Sequence, residues 1–313
     1  MALDHYVSQV HLKQFNNADG VLHATLKQSQ KTFTNHSRAF CRIDDNSTNE
    51  YLSNKRAIEE LLKIIEPKYD ASLEKFRLGN PDPESVYVFA GFIASMMWYS
   101  PAGVRINKDP IERTLNEVGR RLDRQGKMPR APDSMGGGTF SEMLDRGAIE
   151  LNVNPKYPQA IGTTTLRTQI FSFGNFDWEI LTNPFPDNAF FTSDYPVGIE
   201  PKGNQGIIDR VVPLAPDIAV RICPKPIDDE KIQDNFAGFR YRTLTLKRQE
   251  VVAINRLIVR CAESIVFYPK QQPWISDFIK TNAGFRIEPK TTMLHYDGGT
   301  CQISTSEISG NTA

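Results

Sequence analysis

Apolar positions recur with a helical period through the middle of the chain and with shorter, strand-like runs on either side. Ile58, Leu61, Leu62, Ile65, Tyr69, Leu73 and Phe76 follow one another at spacings of three and four, which predicts one amphipathic helix of about five turns. Gly79-Asn80-Pro81-Asp82-Pro83 ends that helix and starts another over 84–99. Residues 86–99 are almost wholly apolar, but a bilayer needs about 20 such residues, so this reads as a buried helix. Pro101 and Gly103 should break it, with a third helix over 109–124. The Gly- and Pro-rich stretch 125–138 reads as a flexible connection, followed by helices over 139–149 and 158–173. Beyond Asn175 come short β-leaning runs at 178–181, 189–192, 210–214 and 218–223, then a helix at 245–261, a strand at 264–268 and a short helix at 274–280. Near the start, 20–26 reads as a strand, while 5–15 fits either a helix beginning near Ser8 or a strand. The polar stretch 303–313 reads as a disordered tail. The expectation is one α+β domain over 1–302, a helical middle region packed with a small mixed or antiparallel sheet built from N-terminal and C-terminal strands.

Charge narrows the partners. The 313 residues carry 37 Lys+Arg against 37 Asp+Glu, and the balance holds in each half, so no global positive field draws a polyanion. Two stretches depart from this locally. Arg120, Arg121, Arg124, Lys127 and Arg130 face Asp123 alone, and Arg240, Arg242, Lys247, Arg248, Arg256 and Arg260 are interleaved with Phe239 and Tyr241. Guanidinium groups beside aromatic rings suit phosphates and bases, so nucleic acid or a nucleotide is the expected partner; a solvated surface is the other reading. The start lacks a basic region followed by an apolar run, and the four cysteines are scattered. Both features point to a cytoplasmic chain with reduced thiols and no membrane partner.

Three features stand out from ordinary periodicity. On a helix, Asn255 has Val251, Val252, Ile258 and Val259 as its i±3 and i±4 neighbours, which buries its amide and demands a partner. That partner is either a backbone segment that Asn255 clamps or a substrate or catalytic group that it orients. Phe190-Phe191-Thr192-Ser193-Asp194-Tyr195-Pro196 runs an apolar strand end into a turn, where Asp194 serves either as a backbone cap or as a cleft carboxylate. His5 and Gln9 share a face if 5–15 is helical, placing a titratable imidazole beside an amide. Gly136-Gly137-Gly138-Thr139 lacks the Gly-Lys-Ser/Thr of a phosphate loop and reads as a turn. Zinc spacings and serine-hydrolase elbows do not occur in the sequence.

These same stretches carry a resemblance. His5-Tyr6-Val7-Ser8-Gln9-Val10, Leu12 and Phe15, the run Phe190, Thr192, Ser193, Asp194, Pro196 and Val197, the segment Pro213-Leu214-Ala215-Pro216, and the helix around Asn255 with the strand after it match, in order, a mostly bacterial family catalogued as domain of unknown function 4238. The chain departs from the family at Ser8, where Pro is usual, and at Val10, where an aromatic is usual. Tyr99-Ser100-Pro101 stands in place of an Arg-containing stretch, and Arg105 is the nearest replacement. The resemblance implies a motif pattern and no reaction.

Two functions follow. The first is a hydrolase, nuclease-like and phosphodiester-cleaving, of the kind used as a toxin or phage-defence effector. His5 would be general base or metal ligand, Asp194 its carboxylate partner, and Gln9 and Asn255 orienting amides. Tyr6, Ser193, Arg240, Arg242 and Arg256 would hold substrate, and a divalent metal would fit if further ligands joined His5 and Asp194. The second is a non-catalytic module that binds a ligand or partner, in which those polar residues form a buried network. An open cleft shared by the four polar side chains favours the first; sealed, saturated side chains favour the second.

Overall fold

A computed structural model describes residues 3–203, 207–226, 235, 236, 238–296 and 299–310. The order is β1 (Leu3–His5), α1 (Gln9–Gln14), β2 (Leu22–Leu26), β3 (Thr32–Asn35), β4 (Arg42–Asp44), α2 (Ala57–Ile65), α3 (Tyr69–Arg77), α4 (Pro83–Tyr99), α5 (Pro101–Arg124), α6 (Phe140–Asp145) and α7 (Lys156–Asn175). There follow β5 (Asp177–Thr182), β6 (Thr192–Ser193), β7 (Gly198–Lys202), β8 (Ile207–Ala215), β9 (Ile218–Cys223), β10 (Arg240–Thr245), α8 (Arg248–Cys261), β11 (Ile265–Tyr268), α9 (Ile275–Asn282), β12 (Phe285–Tyr296) and β13 (Gly299–Gly310). The fold is α+β.

The apolar stripe over 58–76 is not one helix but α2 and α3, because Pro67 sits in a 3-10 turn between them. Its stripe still faces inward, with Ile58, Ile65, Tyr69, Leu73 and Phe76 buried. Asp82 and Ser85 form a capping box and Pro83 occupies the first turn, so α4 starts where the sequence indicates. That helix is buried along most of its length and forms the centre of the helical layer. Among the described residues no helix is long and apolar enough to cross a membrane. The apolar helix ends before Pro101 as expected, but Pro101 also opens α5, capped by Ser100 through the Gly103 N–H, so this helix begins eight residues before the expected Asp109. Gly162 in α7 lies against Trp98 of α4, where a Cβ would come within 2.2 Å of the indole, and Trp98 Nε1 donates to Gln169 at 2.8 Å.

Strands from both ends of the chain share a four-stranded sheet, in the order β3-β2-β11-β6, with Leu26 opposite Ile265 and Phe267 opposite Thr192. A five-stranded mixed sheet has the order β10-β5-β9-β8-β7, with β10 parallel to β5 and the other pairs antiparallel. The stretch expected to be a tail supplies β13 instead. It pairs with β12 along its whole length, and the base of this ribbon packs on the core through Ile287 and Ile308. Alternating Thr, Ser and Ile provide cross-strand pairs that a composition-based reading scores as polar. Of the two readings of 5–15 the helix holds, beginning after Ser8 as α1, while β1 ends at His5 and pairs with β4.

Candidate functional site

Thr192, Ser193 and Asp194 lie in and just after β6, buried between β11 and the N-terminal helix. The Asp194 carboxylate accepts three backbone N–H groups from the turn before β11: Glu263 at 2.9 Å, Ser264 at 2.8 Å and Ile265 at 3.2 Å. Burial pushes its pKa up to about 7, against the pull of those three donors towards the ionised form. Ser193 Oγ accepts the Tyr195 N–H at 3.1 Å and closes the turn. Asn255 is fully buried on α8; its Oδ1 accepts from Phe191 N and its Nδ2 donates to Ala189 O, each at 2.9 Å. Both amide atoms are therefore spent on the strand end that leads into Thr192.

A further member of this assembly is His11. It is fully buried on α1, with Nδ1 2.8 Å from the Tyr69 hydroxyl and Nε2 2.7 Å from Thr192 Oγ1. The Tyr69 hydroxyl donates to the Leu214 carbonyl, so it must accept from His11 Nδ1–H, and His11 Nε2 must accept from Thr192. One chain of hydrogen bonds thus fixes a neutral imidazole and joins α1, α3, β6 and β8. Burial pulls the His11 pKa down to about 3. The spacing of His11 from Leu12 and Phe15 is the only signal that marked it as inward-facing.

His5 and Gln9 stand apart from this assembly. They line an open polar cavity of about 350 Å³ with Asp4, Glu59, Lys63 and Glu66. Gln9 Nε2 and the Arg38 carbonyl both lie at His5 Nε2, at 3.0 and 3.3 Å, so the tautomer decides which one it engages. Burial holds the His5 pKa below its ordinary value and raises that of Glu66, which accepts from Ser8 Oγ at 2.5 Å. Neither Asp194 nor Asn255 lines this cavity. Tyr6, next to His5, pairs with the buried Cys41 thiol. Among the described residues no group of three or more His, Cys, Asp or Glu side chains is placed to hold a metal ion.

A family model described as protein of unknown function (DUF4238) matches residues 4–272. The chain belongs to that family. No curated protein and no solved structure matches it. The match spans the clasp of His11, Thr192, Ser193, Asp194 and Asn255, while the β12–β13 ribbon lies beyond it. The Arg105 guanidinium ties the ribbon to the turn before β11: it donates to Glu263, Glu288 and the Ile287 carbonyl.

The two basic stretches fare differently. Arg242 is paired with Glu179, Arg248 with Asp187, and Arg260 donates to Asn282; Arg240 and Arg256 are exposed without ion pairs among the described residues. Residues 240–260 lie on two elements, β10 and α8. Near the end of α5, Arg120 is paired with Asp145 and Asp123 accepts the Ser141 N–H. Arg121, Arg124, Lys127 and Arg130 remain exposed, with no ion pair among the described residues.

Because Asn255 holds two buried backbone groups, Asn255→Ala should lower the unfolding free energy by about 2–3 kcal/mol, read by urea denaturation. A change below about 0.5 kcal/mol would mean that water or repacking replaces both bonds.

Proposed function

We propose that the chain is a non-catalytic module that binds a polyanion, nucleic acid above all, across Arg121, Arg124, Lys127 and Arg130. The carrying observation is that these four cations are exposed without an ion pair among the described residues, while Asp123 and Asp145 are engaged by Ser141 and Arg120. The saturation of Asp194 and Asn255 by backbone groups supports the non-catalytic half of the reading, since neither has an atom free for substrate.

Four phosphate contacts correspond to a slope of about −3 in log affinity against log salt. Fluorescence anisotropy with labelled RNA and single- and double-stranded DNA, from low to moderate salt, measures it. The expected result is salt-dependent binding without cleavage, and a slope smaller by about 1.5 in the Arg121→Gln, Arg124→Gln double variant. Binding that ignores salt, or that the double variant leaves unchanged, would overturn the assignment.

One observation keeps a hydrolytic reading in view: His5, whose pKa burial lowers, and Glu66, whose pKa burial raises, line the same open cavity. The same assays decide it, because cleavage of any of these substrates, with or without divalent metal, that His5→Ala abolishes would replace the binding-module reading.

A further inference from the structure

A second charged surface lies on the five-stranded sheet, away from the end of α5. Along β5, β9 and β10, register sets Arg240 opposite Asp177 and Asp177 opposite Cys223; Arg242 opposes Glu179, which opposes Arg221. Glu179 is buried and receives both Arg221 and Arg242, so a carboxylate beneath the surface fixes two guanidinium groups. Arg240 beside them has no ion pair among the described residues. This end of the floor lines a cavity of about 310 Å³, which runs into a second of about 430 Å³ through the shared Glu179, Lys202 and Cys223.

Asp209 on β8 lines the second cavity and is only 7% exposed. Its Oδ2 faces the Cys223 thiol at 3.6 Å, and burial pushes that thiol up to about 12, so it stays protonated and donates. Lys202 Nζ is 3.7 Å from the same oxygen, on a largely exposed side chain. Asp209 Oδ1 is buried with no hydrogen-bond partner. A buried carboxylate oxygen without a donor is costly, and this one belongs to a residue that lines the cavity. The opposite wall is apolar, formed by Ile199, Leu257 of α8 and Ile308 of the ribbon. From β8 to β10 is three strand spacings, about 14 Å.

We infer that this groove binds a nucleoside phosphate, with an N–H edge of the base at Asp209, the base face on Leu257 and Ile308, and the phosphate at Arg240 and Arg242. An unmet acceptor, apolar lining side chains and two neighbouring guanidinium groups, Arg242 fixed by Glu179 and Arg240 without an ion pair among the described residues, satisfy the three parts of such a ligand together. Ile308 lies outside the residues that the family model matches, so the ribbon of this chain completes the base subsite. The groove is independent of the polyanion face at the end of α5.

The test is calorimetric titration of the full chain with nucleoside 5′-monophosphates, the matching nucleosides and inorganic phosphate. A monophosphate should bind about tenfold more tightly than its nucleoside. Arg240→Ala, an exposed and unpaired position, should remove that advantage and leave nucleoside affinity unchanged. Asp209→Asn should weaken nucleotide and nucleoside alike by about tenfold or more. Thermal unfolding of both variants checks that they fold, and Arg240→Ala decides the outcome alone if Asp209→Asn does not. Three results would overturn the inference: no monophosphate bound at millimolar concentration, equal affinity in both variants, or binding lost in the Arg121→Gln, Arg124→Gln variant.

Discussion

Asp194→Ala should lower the unfolding free energy by about 3–5 kcal/mol near pH 4, the largest effect expected of any single polar substitution in the clasp. The variant leaves the Glu263, Ser264 and Ile265 N–H groups without their acceptor at a buried turn. Each such orphan costs about 1–3 kcal/mol, and the sum is reduced because the variant no longer buries a carboxylate. Asp194→Asn should lie between wild type and alanine, since its amide oxygen still accepts while its NH2 faces donors. The pH dependence carries a definite sign. Because the folded pKa is raised to about 7 from 3.8, the stability that Asp194 contributes is full below about pH 3.8 and is lost as pH rises through about 7. Urea denaturation of all three proteins measures these differences. An alanine variant within about 1 kcal/mol of wild type would show that the turn before β11 does not rest on this carboxylate. A folded alanine variant that loses a cleavage activity would reopen a catalytic role for it.

The second large effect is acid sensitivity through His11. Its folded pKa of about 3 lies below the ordinary 6.5, so the stability it contributes is full above about pH 6.5 and is lost as pH falls towards 3. The unfolded chain takes up a proton in that window and the folded chain does not. Between pH 7.5 and 4.5 wild type should lose about 3 kcal/mol relative to His11→Gln, which does not titrate but can still bridge Thr192 and Tyr69. The comparison isolates His11, because the opposing titration of Asp194 is present in both proteins. Parallel stability-against-pH curves for the two would refute the buried neutral imidazole.

Several elements were legible in the letters. The stripe from Ile58 to Phe76 buried the side chains its spacing indicated, and the apolar run at 86–99 became a buried helix that starts at its capping box. The neighbours of Asn255 made its burial predictable, but not the two backbone groups it holds, because Ala189 and Phe191 lie more than sixty residues away. Pro101 misled in the other direction: a proline that ends one helix can open the next, and only the Ser100 cap distinguishes a corner from a gap. The ribbon was illegible for a different reason. A strand of Thr, Ser and Ile gains its stability from the pairs opposite each residue, and its own composition carries little of that.

Local pattern thus determined the helices, the α+β class and the stretches where unusual polar residues cluster, since helical period and turn chemistry act over a few residues. What each polar residue does was decided by tertiary structure alone. Asp194 and Asn255 look the same in the sequence whether they face a cleft or a backbone, and the difference lies in partners brought close from distant segments. The same holds for charge. The sequence shows two basic stretches of similar strength, and the fold pairs Arg242 and Arg248 of one with Glu179 and Asp187, but in the other pairs only Arg120, with Asp145, leaving Arg121, Arg124, Lys127 and Arg130 without ion pairs among the described residues.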